Sequence, residues 1–61
     1  MKFIVQLTSG VPMWIAPWSG DPGRTLDIDN AQKYKTLHEA TIALAKARRY
    51  SQFREAKIIA V

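Results

Sequence analysis

The sequence predicts an α+β fold: a small three- to four-stranded antiparallel or mixed sheet with one α-helix, over about residues 37–50, packed on one face. Three observations carry this reading. Residues 2–7 alternate in polarity at the period of a strand. Thr36 and Glu39 open an alanine-rich run with apolar residues at helical spacing. Clusters of Gly, Pro, Ser and Asp separate short runs of branched and aromatic residues.

From Lys2 to Leu7, the side chains of Phe3, Val5 and Leu7 fall on one face, and those of Lys2, Ile4 and Gln6 on the other. Thr8-Ser9-Gly10 signals a turn, and Pro12 bars a regular ladder there. Met13 to Trp18 reads as a second strand that makes a hairpin with the first. Pro17 must lie at an edge or at the strand's end, because it has no N–H to donate. Ser19 to Arg24, with two Gly and one Pro in six residues, is the strongest turn in the chain. Thr25 to Asp29 alternates again, predicting a short third strand with Leu26 and Ile28 inward.

Thr36 fits a helix N-cap and Glu39 its capping-box partner. At 100° per residue, Leu37, Ala40, Ala43, Leu44, Ala47 and Tyr50 share one face, and its small residues let the helix lie close on a sheet. His38, Glu39, Ile42, Lys46 and Arg49 lie opposite. Ala56 to Val61 reads as a last strand. It is apolar on both faces after Lys57, which predicts a central position or cover by a second subunit.

The chain has 61 residues and reads as a single domain, 1–61, without cysteine for a disulfide or a thiolate metal site. A domain this small holds only about 3–5 kcal/mol of net stability. With 48% hydrophobic residues in so short a chain, a homodimer or docking on a partner is expected, since association buries what a monomer cannot cover. No apolar run approaches the ~20 residues of a membrane span. The opening Met1-Lys2-Phe3-Ile4-Val5 reads as strand rather than signal peptide. A cytoplasmic protein without membrane contact is the expectation.

Nine Lys and Arg stand against five Asp and Glu, for a net charge of +4. Residues 1–32 carry Lys2 and Arg24 against Asp21, Asp27 and Asp29. Residues 33–61 carry seven cations against Glu39 and Glu55, so the basic character belongs to the C-terminal half.

Catalysis finds little support. The single His38 falls in the first turn of the helix, on its polar face. No nucleophile has a spaced His–acid partner. Asp27 and Asp29 would share a strand face but lack the number and loop geometry of a calcium site. Gly20 to Gly23 is not a phosphate loop, since no Gly-Lys-Ser/Thr follows. No catalytic residue, metal or cofactor is assigned.

Binding is better supported. On an extended strand, Trp14 and Trp18 would share a face, and tryptophan anchors interfaces disproportionately; the alternative is that one or both fill the core. Ile42 sits among charged residues on the outer helix face. The candidate partner-binding set is therefore Trp14, Trp18, Asp21, Arg24, Ile42, Lys46 and Arg49. The rival is a nucleic-acid-binding module using Lys46, Arg48, Arg49, Arg54 and Lys57, although no recognised nucleic-acid motif is present.

Residues Asn30 to Ala40, Ala43-Leu44, Ala47-Arg48 and Phe53 to Val61 carry a further pattern: an Ala, an aromatic three on, a Thr cap, a Glu-Ala helix start and a short apolar strand. This resembles short phage and prophage open reading frames of β-β-α-β type, some of which inhibit host factors or defence systems. The resemblance implies a non-enzymatic viral protein acting in the bacterial cytoplasm. Such a protein would bind and inhibit or modulate a host protein such as a defence or transcription component.

Overall fold

A computed structural model of the chain describes residues 1–20 and 22–61. Four strands form one antiparallel sheet: β1 (Phe3–Thr8), β2 (Met13–Ile15), β3 (Arg24–Thr25) and β4 (Lys57–Ala60), in the order β3-β2-β1-β4. One α-helix, α1 (Leu37–Ala47), packs across β1 and β4. The fold is α+β, as the polarity pattern predicts. Two short 3-10 turns, Ile28–Asn30 and Ser51–Phe53, complete the elements among the described residues.

β1 organises the rest. Ile4, Val5 and Leu7 are each 1% exposed or less, so this strand is buried on both faces. Val5 and Leu7 meet Ile15, Ala47, Phe53 and Ala56 in the core beneath the helix. Ala40 and Ala47 are fully buried where α1 meets the sheet, and their small side chains permit the close approach. Truncating a core residue such as Leu7 to Ala costs about 2–5 kcal/mol, which rivals the stability of the whole domain.

Thr36 is the N-cap, its hydroxyl accepting from the Glu39 N–H at 3.2 Å. The helix stops at Ala47 rather than Tyr50. Its last turn tightens, with the Arg49 N–H donating to Lys46 O and the Tyr50 N–H to Ala47 O. Tyr50 and Leu37, expected on the buried face, are 40% and 55% exposed.

Three strand expectations are corrected. The second strand ends at Ile15, short of Trp18, because Pro17 cannot continue the ladder and the chain turns back so that the Ala16 N–H donates to Gly23 O at 2.8 Å. The third strand is Arg24–Thr25, not Thr25 to Asp29. The Thr25 hydroxyl accepts from the Asp27 N–H, and Asp27 Oδ1 accepts from the Asp29 N–H, both at 3.0 Å. These local bonds compete with a strand ladder and fold the segment into a 3-10 turn, leaving Leu26 and Ile28 exposed. The last strand, β4, lies at the sheet's edge and not at its centre.

Tyr34 and Phe3 exchange backbone bonds of 2.9 and 2.7 Å, which places the segment before α1 alongside β1 beyond the end of β2. The connection thereby fixes where the helix starts, and with it the surface on the helix's outer flank.

Candidate functional site

The flanks of α1 differ. Periodicity puts Leu37, Thr41 and Arg48 on the flank over β4, and Glu39, Ile42 and Lys46 on the flank over β2. The first placement agrees with the Arg48 side chain, whose Nε and Nη2 donate to Ala56 O, just before β4, at 3.2 and 2.8 Å.

Along the β2 flank runs an open groove of about 470 Å³. One wall carries Glu39, Ile42 and Lys46 from α1 and Arg49 and Tyr50 from the turn after it. Ile15, Ala43 and Ala47 line its apolar base. Tyr34, Gly20 and Pro22 contribute from outside the helix. The sequence gathers these residues in a simple way: the tight turn after β2 returns the chain toward α1, and the Phe3–Tyr34 pairing brings Tyr34 to the same side.

Gly23 makes that turn possible. A Cβ there would lie 1.9 Å from Trp18 O and 2.9 Å from Trp18 C, both backbone atoms that cannot swing away. Gly20, at φ 154°, holds the one positive-φ conformation among the described residues.

The groove is amphipathic. Ile42 is 47% exposed and Tyr50 offers an aromatic face, while among the described residues Lys46 and Arg49 bring two cations to the groove and Glu39 a carboxylate. Burial raises the Tyr34 phenol above its ordinary pKa of 10.0, so it stays neutral well into the alkaline range. Such a surface combines apolar area with flanking positive charge.

Of the residues expected to bind a partner, the structure brings Ile42, Lys46 and Arg49 together on this groove. Arg24 is elsewhere: its guanidinium lies 5.8 Å from the centre of the Phe53 ring and donates to Pro22 O at 3.1 Å. Asp21 lies outside the described residues. The two tryptophans do not share a strand face, since β2 stops at Ile15. Trp18 is 50% exposed in the turn. Trp14 is half-buried on the sheet face away from the helix, where register sets it beside Gln6 and Thr25. Its indole Nε1 is buried and has no hydrogen-bond partner among the described residues.

The five cations of the nucleic-acid reading are divided. Lys46 and Arg49 line the groove, whereas Lys57 pairs in register with Gln6 and so projects from the face opposite the helix. Arg48 is engaged by Ala56 O. Arg54 follows the 3-10 turn as an exposed residue. Asp27, weighed as a cation ligand, instead holds its own turn through Asp29 N and Asn30 Nδ2, and it does not lie on a strand.

The groove residues that sequence reasoning missed are Tyr34, Tyr50 and Glu39, whereas Pro22 belongs to the Asp21–Arg24 loop expected to bind. Tyr50 reads as core by helical phase, and only the early end of the helix turns it outward. Tyr34 gives no local signal, because its place depends on pairing with Phe3, 31 positions away in sequence.

No family model, curated protein or solved structure matches the chain.

Proposed function

We propose that this protein is a non-enzymatic binding protein whose groove between α1 and the turn after β2 docks an apolar, acidic segment of a bacterial host protein, inhibiting or modulating it. The observation that carries the reading is the convergence of Ile42, Lys46 and Arg49 with Tyr34 and Tyr50 around a cavity of about 470 Å³. Aromatic and Arg side chains at the centre of a concave surface are the usual anchors of protein interfaces. Lys46 and Arg49 select for negative charge, and Ile42 and Tyr50 supply apolar area. The resemblance of residues 30–61 to phage open reading frames supports a bacterial partner and a bacterial cytoplasmic setting.

The test is affinity capture from bacterial lysate with three baits: the wild-type protein, Ile42→Asp and Lys57→Ala. The reading expects a protein retained by wild type and Lys57→Ala and lost with Ile42→Asp. A captured set unchanged by Ile42→Asp would refute it. Fluorescence anisotropy with duplex and single-stranded DNA at low salt provides the contrasting arm, since phosphate contacts strengthen as salt falls. Binding there that weakens with Lys46→Ala and Arg49→Ala would favour the nucleic-acid reading instead.

A further inference from the structure

We propose that two copies of this chain associate through β4, pairing antiparallel about a two-fold axis centred on Ile59, so that two four-stranded sheets become one of eight. This goes beyond the groove reading and rests on a different surface.

The backbone supplies the argument. β4 is an edge strand, and among the described residues no strand pairs with its outer side. The direction of its free groups follows from the ladder. Lys2 and Val61 exchange bonds of 3.2 and 2.8 Å, so they form a hydrogen-bonded pair, and antiparallel alternation makes Ile4–Ile59 and Gln6–Lys57 the next such pairs. Phe3–Ala60 and Val5–Ile58 are then the non-bonded pairs. The Phe3 groups agree, since they turn away from β4 to bond Tyr34. The N–H and C=O of Ile58 and Ala60 therefore point outward from the edge.

That pattern is self-complementary in one register. Centring the two-fold on Ile59 sets Ile58 opposite Ala60 of the second copy, and Ala60 opposite its Ile58. All four residues have outward-facing groups, and four inter-chain backbone bonds result. Ile59 meets itself as a non-bonded pair, where side chains approach most closely. Centring on Ile58 would instead require Ala56 opposite Ala60. Ala56 is already committed: its N–H donates to Phe53 O and its C=O accepts from Arg48.

The side chains fit the same choice. Lys57, the one charged residue of β4, falls opposite Val61 of the second copy rather than opposite another lysine. Ile58 and Ile59 are half-buried at the edge, Val61 is 54% exposed, and Leu37, 55% exposed, lies on the helix flank above β4. Pairing extends apolar cover over all of them. An unprotected apolar edge is what folded domains otherwise shield with charge, proline or a bulge, and β4 carries Lys57 alone.

The experiment measures dimer dissociation by sedimentation equilibrium for wild type, Val61→Glu and Val61→Lys. Wild type is expected to reach twice its 6.9 kDa chain mass as concentration rises. Val61→Glu sets a carboxylate opposite Lys57 of the second copy, and Val61→Lys sets like charges opposite, twice each by symmetry. The two variants should then differ about tenfold or more in dissociation constant, with Val61→Glu the tighter, and the gap should close in high salt. A third variant, made by chemical synthesis with Ala60 N-methylated, loses an outward N–H and no intrachain bond; it should be monomeric with an unchanged circular dichroism spectrum. A wild type that stays monomeric to about 1 mM overturns the proposal. So does a dimer indifferent to the charge at position 61, or one that survives N-methylation.

Discussion

Replacing Arg48 by Ala separates a structural arginine from a binding one. Arg48 Nε and Nη2 donate to the carbonyl of Ala56, a residue with no exposure, at 3.2 and 2.8 Å, tying the end of α1 to the start of β4. A hydrogen bond to a charged group is worth about 1.5–3 kcal/mol. The Arg48 side chain itself is exposed, so water competes for the guanidinium, and the lower end applies, about 1.5 kcal/mol for the substitution. In urea, with a slope near 1 kcal/mol/M for so small a domain, the midpoint should fall by about 1.5 M. The thermal midpoint should fall by roughly 6–12 °C. Chain concentration must be held fixed, since self-association would raise both midpoints. Arg48→Lys retains one donor and should lose about half as much. Arg48→Met keeps the aliphatic stem and removes the donors, so it should resemble Ala if the bonds matter and wild type if packing does. A midpoint for Arg48→Ala within about 0.2 M of wild type, or an Arg48→Met protein as stable as wild type, would refute the reasoning.

Three further outcomes follow from the same structure. Gly23→Ala should cost about 3 kcal/mol in a thermal or urea melt, because its Cβ meets backbone atoms of Trp18 and Ala16, whereas Gly10→Ala, with nothing within 4 Å, should change stability by under about 1 kcal/mol. Trp14→Phe should be neutral or stabilising in urea denaturation, since it removes a buried donor whose lack of a partner costs about 1–3 kcal/mol, while Trp14→Ala should destabilise by about 2 kcal/mol. Tyr34 is held protonated by burial, so its folded pKa lies above the unfolded value near 10.0. Its contribution is complete below pH 10.0 and declines as pH rises toward the folded value; Tyr34→Phe should remove that alkaline component from a stability-against-pH series.

The elements legible in the sequence are those whose signal is local. The polarity of residues 2–7 gives β1, and Thr36 with Glu39 gives the helix start, because strand alternation and capping are decided within a few residues. The errors fall where a local competitor or a distant partner decides. Asp27 and Thr25 capture backbone N–H groups that a third strand would have used. The place of β4 at the edge is set by which side of β1 each neighbour takes, and apolar composition alone does not encode that. Helical phase places Ile42, Lys46 and Arg49 on one outer surface, and all three line the groove. The strand reading of residues 13–18 misled for the tryptophans, because Pro17 ends the geometry that would have aligned them. Nearness in sequence groups Lys57 with the helix cations, while strand parity sends it through to the opposite face.

Docking of a partner in the groove beside α1 is read out by mapping amide chemical shifts of the ¹⁵N-labelled protein as the captured host protein is added. Perturbations should concentrate at Ile42, Lys46, Arg49, Tyr50 and Tyr34, with little change at Gln6, Trp14 and Lys57. Perturbations clustered on Gln6, Trp14 and Lys57, with the groove residues unmoved, would contradict it.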